Sequence, residues 1–484
     1  MKQLLSLCAA LTFALTGCDW GGEEVDQKTA DGGKGGKPAV QSSARGVSAE
    51  KVERLFTQAN EYYRKGKYRE AKAVMVQAYA AFEHLPVKDE TNRVNFLREL
   101  CKTSYQLQEN DKAIEYANTI LTHAQTEDDK SFAHSQLGAV KHRKGDYDGA
   151  IGHYEKALAI RLEAHGRDHP EVASIYHNIG STFVVMGRHD DAIRYHEEAL
   201  SIWRNTIDSE DPRIAAAYHG TGTAYGHKNE HGRAIANYEA ALVIWLKSLG
   251  PQHPDLAATY NNLGTAHDNM GEHEEAIGYH EKALSIRLLA LGSNHPDVAI
   301  TYNNLGSAYL GAKDFDRAII YHKKALAICL KSLGPEHPSV AAVYNNIGGI
   351  HSRNGDRDKA IEYYRKCLAI ELKTLGPEHP DVATSYHNVG TIHIGMKEYD
   401  QAIRCYQKAL AIELKTLGPH HLEVAATHQL MGSIHAAKGD KESALSSLRE
   451  AKAIRLKKLG PQHPLTKKAQ EDIEKLTPSG GDGD

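Results

Sequence analysis

Side chains able to hold metal or move protons are abundant in this chain: 29 histidines, six cysteines and a His420-His421 pair. Their spacing argues against that use. No HExxH or CxxC pattern occurs to set two zinc ligands on one helix face or in one turn. His169, His253, His295, His337, His379 and His463 each precede a proline, whereas His267, His351, His393 and His435 recur at multiples of 42 residues, as do His196, His280 and His322. Side chains repeated on successive packed helices stand about 8–10 Å apart, too far to share a metal with bonds of about 2.1 Å. Cys101, Cys329, Cys367 and Cys405 read as buried thiols; the last three shift by one helical turn per repeat, which leaves them on different helices and off disulfide geometry. The reading is no catalytic residue, no metal and no cofactor.

A third chemistry is that of the amide. TYNNLG occupies residues 259–264 and 301–306, and VYNNIG follows at 343–348. Asn is a mediocre helix former, so paired Asn inside an apolar helical pattern implies a task other than helix formation. An Asn amide donates and accepts, as each peptide unit of an extended chain does. A row of such amides can bind main chain while ignoring side chains.

The elements that would position this row are repeats. Gly138, Gly180, Gly222, Gly264, Gly306, Gly348, Gly390 and Gly432 follow at a constant step of 42, with Ala150 to Ala444 in the same register. Val382, Tyr386, Val389 and His393 form one helical stripe, and Ala402, Ile403, Tyr406, Ala409 and Leu410 another. Between copies, LGPEHP places Gly376 at a helix end and Pro380 at the next helix start, with Asp381 in the first turn, where the helix dipole favours an acid. Each copy is therefore a helical hairpin.

The Leu-Gly, Ala and aromatic-x-x-Ala positions resemble the tetratricopeptide repeat, and LGPEHPDVA with YNNLG is most similar to the long repeat of kinesin light chains and their bacterial relatives. The resemblance implies an all-α fold, a right-handed superhelical solenoid of about ten helix-turn-helix repeats: two divergent copies over 48–124, eight regular ones over 125–463, a capping helix over 464–476 and a disordered tail over 477–484. It also implies a concave groove lined by Asn178, Asn261, Asn262, Asn303, Asn304, Asn345, Asn346 and Asn388, with His177, His219 and His387 in the same slots and Ser181, Thr223, Thr265, Ser307 and Thr391 one turn on. The plainer alternative is that one Asn of each pair bridges neighbouring helices while its companion is solvated. Tyr260, Tyr302, Tyr344 and Tyr386 fall where the family packs its core. The cationic clamp of chaperone-binding members is missing, since Ala258, Asn261, Asn262 and Thr265 stand at those positions. The fifth copy departs, with Gly220 in place of Asn and Asp208-Ser209-Glu210-Asp211 in its loop.

At the other end, MKQLLSLCAALTFALTGC has a Lys near its start and an apolar run too short to span a bilayer. Leu15-Thr16-Gly17-Cys18 resembles the lipobox of bacterial lipoprotein precursors, which implies a signal peptide over 1–17 and lipidation of Cys18. Asp19 would then act as a sorting residue for the periplasmic face of the inner membrane, with the outer membrane as the alternative. The Gly-rich segment 18–47 reads as a flexible tether with a reach of roughly 30 Å. Overall charge is nearly balanced, 58 basic against 62 acidic residues, so nucleic acid is not expected as a partner. The expected function is a lipid-anchored, non-enzymatic scaffold binding peptide or helical segments of envelope proteins. The alternatives are an assembly or secretion factor of the envelope and, remotely, a His-dependent hydrolase. His267, His280 and His322, in apolar slots, are expected to stay neutral and to make the fold sensitive to acid.

Overall fold

The computed structural model describes residues 48–477 apart from residue 87; Cys18, Asp19 and most of the tail lie outside the described residues. The described residues form ten helical hairpins and a last single helix. Compact packing divides the chain into two units that meet at residue 290. In the first, the hairpins run from Ala49–Arg64 with Tyr68–Glu83 to Pro254–Met270 with His273–Leu291. The second begins with Pro296–Gly311 and Phe315–Ser332, continues through Pro338–Arg353 with Arg357–Thr374 and Pro380–Gly395 with Tyr399–Thr416, and ends with Leu422–Lys438, Lys441–Leu459 and the single helix Pro464–Leu476. Among the described residues no helix is long and apolar enough to cross a membrane.

Helix starts are set by the loop sequence. Pro occupies the first turn of most first helices, where its fixed φ suits the helix and its missing N–H is not needed. The residue before it has a function that its position in sequence does not reveal. In His169, His253, His295, His337, His379 and His463, and in His421 before Leu422, Nδ1 accepts the backbone N–H two residues on, at 3.1–3.4 Å. These histidines are N-caps, doing with an imidazole what Ser or Asp does with an oxygen. Replacing His337 by Ala is expected to cost about 1 kcal/mol at pH 7.5 and replacing it by Asn almost nothing. Urea denaturation of the two variants measures the difference, and equal stability would show that the bond has no net worth.

Inside a hairpin, the step-42 Gly and Ala let two helices approach closely. The alanines from Ala150 to Ala444 are all 0% exposed. A Cβ on Gly138, Gly222 or Gly348 would fall 2.7–2.9 Å from the ring of Tyr154, Tyr238 or Tyr364 on the second helix. At Gly180, Gly264 and Gly306 the ring pressed on the glycine is His196, His280 or His322. Full burial of a side chain of this size contributes roughly 1.5–3 kcal/mol per repeat. Within each unit a hairpin then docks on the next, with Lys415 reaching back 2.5 Å to Glu378 in the preceding loop and Lys247 3.1 Å to Glu210.

Candidate functional site

First helices of successive hairpins lie side by side within each unit, which brings the Asn and His slots of neighbouring repeats together. Asn346 Nδ2 donates to Asn303 Oδ1 at 3.0 Å, and Asn388 Nδ2 to Asn345 Oδ1 at 2.9 Å. The second amide of each pair thus reaches back to the first amide of the preceding repeat. Asn303 Oδ1 also accepts from His322 Nδ1 at 3.1 Å, which fixes that imidazole as the Nδ1–H tautomer. In the first unit, His219 Nδ1 shares a hydrogen bond with Thr259 Oγ1 at 2.9 Å.

The expected groove lining is corrected in part by this geometry. His177 and Asn261 are only 5% and 4% exposed, so neither side chain faces a partner. Asn303 and Asn345 are half-buried and their carbonyl oxygens are already bonded. His219 and His387 are half-buried and hydrogen-bonded to threonines of the next repeat. Asn178, Asn262, Asn304, Asn346 and Asn388 are half-buried, and they lie on the turn that also carries Ser181, Thr223, Thr265, Ser307 and Thr391. The hydroxyls of four of these residues turn inward and donate to carbonyls four residues back, as Thr265 does to Asn261 and Thr391 to His387. Amides bridge neighbouring helices from both slots, as Asn346 does to Asn303 and Asn388 to Asn345. Asn346 and Asn388 are thus bonded and half-exposed at once.

A slot that sequence reasoning missed explains why the first Asn is drawn inward. On the second helices, Arg161, Trp203, Trp245, Arg287, Cys329, Glu371, Glu413 and Arg455 recur at the step of 42. All are buried except the half-buried Glu371. In four repeats this residue contacts the facing slot of its own first helix. His177 packs on Trp203 and His219 on Trp245, with ring centres 5.9 and 5.6 Å apart. His387 Nε2 lies 2.6 Å from Glu413 Oε1, and Gln429 Oε1 accepts from Arg455 at 2.9 Å.

Thr427, His387 and Glu413 come nearest to a hydrolytic arrangement. Thr427 Oγ1 and Glu413 Oε1 crowd the same ring nitrogen, at 3.2 and 2.6 Å, and Thr427 gives its proton to Glu413 Oε2 at 2.7 Å. A nucleophile and its orienting carboxylate would need opposite nitrogens of the ring. Thr427 is also 0% exposed, so the trio is a satisfied buried network. Cys101, Cys329 and Cys367 are buried free thiols and Cys405 is a half-buried one; burial pushes Cys101 up to about 12. Among the described residues no group of three or more His, Cys, Asp or Glu is placed to hold a metal ion.

The tyrosines read as core are half-buried. Tyr260, Tyr302 and Tyr344 pair with Tyr279, Tyr321 and Tyr363 at 5.9–6.2 Å between ring centres, and Lys282, Lys324 and Lys366 lie over both rings of each pair. They seal the seam of each hairpin, with a cation over the ring faces on the solvent side.

What remains open on the first helices is a smooth surface. In the second unit it comprises the slots six before, two before, one after and five after Gly306, Gly348, Gly390 and Gly432, all half-buried or exposed. Asn304, Ser307, Asn346, Gly349, Asn388, Thr391 and Ser433 are typical occupants, and Arg353 is the one charged side chain among the sixteen. The last copy turns apolar, with Leu430 39% exposed where earlier copies carry Asn.

The family model of the tetratricopeptide repeat matches residues 129–205, 171–242, 213–288, 269–331, 297–373, 339–412 and 381–457, together well over half of the chain. Among solved structures, the apo form of RapI is 16% identical over 75% of this chain and 98% of its own, with a TM-score of 0.57. The apo form of the quorum sensor NprR from B. thuringiensis is 12% identical over 75% and 99%, with a TM-score of 0.56. Both likenesses concern the fold. A putative kinesin light chain of Podosopora anserina with nearly identical repeats is 27% identical over 43% of this chain and 98% of its own, with a TM-score of 0.38. No curated protein matches the chain.

Proposed function

Since the chain belongs to the tetratricopeptide repeat family, whose members hold protein or peptide partners, we propose that it is a lipid-anchored scaffold that seats an uncharged peptide or helical segment of an envelope protein on its first helices. The observation that carries this reading is the small-residue face of the second unit, uncharged but for Arg353 and set in a surface otherwise rich in ion pairs. Small side chains let a partner backbone approach, and the half-exposed amides of Asn304, Asn346 and Asn388 offer main-chain hydrogen bonds there. Leu430 supplies an apolar end stop. The lipid part rests on Leu15-Thr16-Gly17-Cys18 alone, and the inner-membrane face on Asp19.

The test is affinity purification of the tethered protein from a bacterial envelope, with wild type compared to a variant carrying Thr391→Arg, Ser433→Arg and Ala437→Arg. All three positions are exposed, so the fold should hold its melting temperature while the face becomes charged and blocked. Specific partners should be lost from the variant. Recovery of the same proteins with both would remove the face from consideration. In a parallel arm, Cys18→Ala should abolish acyl labelling and leave the purified protein's partner binding intact.

A further inference from the structure

Three histidine rings pack between three consecutive helices of the first unit, apart from the open face of the second. His177 sits on Pro170–Val185, His196 on His189–Thr206 and His219 on Pro212–His227. The rings of His177 and His196 are 4.9 Å apart between centres. On its other side His196 lies against Gly220, where a Cβ would fall 2.5 Å from Nε2. Five other repeats carry Asn at the position of Gly220, namely Asn178, Asn262, Asn304, Asn346 and Asn388. The glycine that breaks the amide row is therefore the one that makes room for this ring.

His196 is 0% exposed, and neither of its nitrogens has a hydrogen-bond partner. Packing alone does not call for histidine here. Tyr154, Tyr238, Tyr364 and Tyr406 fill the same slot in other repeats, and the hydroxyls of Tyr238 and Tyr406 bond to Thr223 and Thr391 at 3.2 and 2.9 Å. The titratable groups that act on His196 are His177 and His219, both bases. Around them stand Trp203, 5.9 Å from His177, and Trp245 and Tyr238, 5.6 and 5.4 Å from His219, with Thr259 bonded to His219. A proton on His196 would meet no acceptor on its ring nitrogens and two imidazoles at close range. The ring can gain water only if Pro170–Val185 and Pro212–His227 separate.

We propose that this cluster is an acid-triggered joint, in which protonation of His196 parts the two first helices that clamp it and opens the first unit where the amide row is interrupted. Burial is the reason the proton is refused at neutral pH, and it holds His196 well below the ordinary imidazole range.

Hydrogen exchange by mass spectrometry on the full chain tests this, at pH 7.5 and 5.5 with correction for the intrinsic exchange rate. Peptides from 170–185 and 212–227 should gain in opening at pH 5.5, with His196 alone contributing roughly ten-fold, the factor by which an open-state histidine with a pKa near 6.5 favours its proton. The helix Tyr68–Glu83, which contains no histidine, should gain far less. His196→Tyr, and His196→Phe should the tyrosine not fold, should reduce the gain at 170–185 and 212–227 roughly ten-fold, leaving what His177 and His219 contribute. A gain left unchanged by both substitutions, a gain spread evenly over the unit, or no gain in the wild type would each overturn the joint.

Discussion

Acidification from pH 7.5 to 5.0 is expected to lower the stability of the folded chain by about 2 kcal/mol for each of four histidines held below the ordinary imidazole range. Burial lowers His177, His219 and His322 to about 4 and His280 to about 3, with the Arg287 charge acting in the same direction on His280. An unfolded chain binds protons at these residues with a pKa near 6.5. Above that value both states are neutral and nothing is lost. Between about 6.5 and 4 only the unfolded state takes the proton, so stability falls with falling pH, and the fall levels off once the folded rings also titrate. At pH 5.0 the gap of about 1.5 pH units corresponds to about 2 kcal/mol per group. Three of the four lie in the first unit and His322 lies in the second, so the first unit should lose more. Urea denaturation at several pH values measures this, and His322→Tyr should remove about 2 kcal/mol of the loss from the second unit. Equal stability at pH 7.5 and 5.0 would mean that the rings reach water. His267 is placed differently, with its Nδ1 2.6 Å from Glu272 Oε2.

The fold was legible because a period of 42 repeats every cue at once: Gly under a ring, Ala between helices, Pro at a helix start. The candidate site was legible only in outline. A repeat pattern states which residues share a face, but not whether that face is spent on the neighbouring repeat. Asn303 and Asn304 illustrate this. They are adjacent and identical in type, yet the first accepts two bonds inside the stack while the second lies on the open face. What separates them is the 100° turn between successive helical residues and the buried partner on the second helix. The capping histidines were hidden for another reason. A His before Pro reads as loop composition until the backbone shows Nδ1 turned onto the second N–H of the helix. The half-burial of the tyrosines follows from their lysines, since Lys282, Lys324 and Lys366 lie three residues past the partner tyrosine and cover its ring.

Two adjacent glycines should respond in opposite directions to the same substitution. Gly348 and Gly349 both lie inside the helix Pro338–Arg353, and replacing either by Ala gains roughly 1 kcal/mol of helix propensity. Their surroundings decide the sign. A Cβ on Gly348 would fall 2.9–3.2 Å from three ring atoms of Tyr364, a side chain 8% exposed and held by the facing helix. The ring cannot rotate out of the contact without opening the hairpin, and such overpacking costs typically 1–3 kcal/mol, occasionally more. A Cβ on Gly349 meets only the Tyr364 hydroxyl at 3.5 Å, an ordinary contact. Gly348→Ala is therefore expected to destabilise the second unit by about 2 kcal/mol and Gly349→Ala to stabilise it by up to about 1 kcal/mol. Combining Gly348→Ala with Tyr364→Ala separates the steric term from any other, because the added methyl then enters the space the ring vacated. The pair should be less destabilising than the sum of its single changes by about 2 kcal/mol. Additive losses, or two glycines that respond alike, would show that the helices of this hairpin are not held at the separation that the glycine and the ring together set.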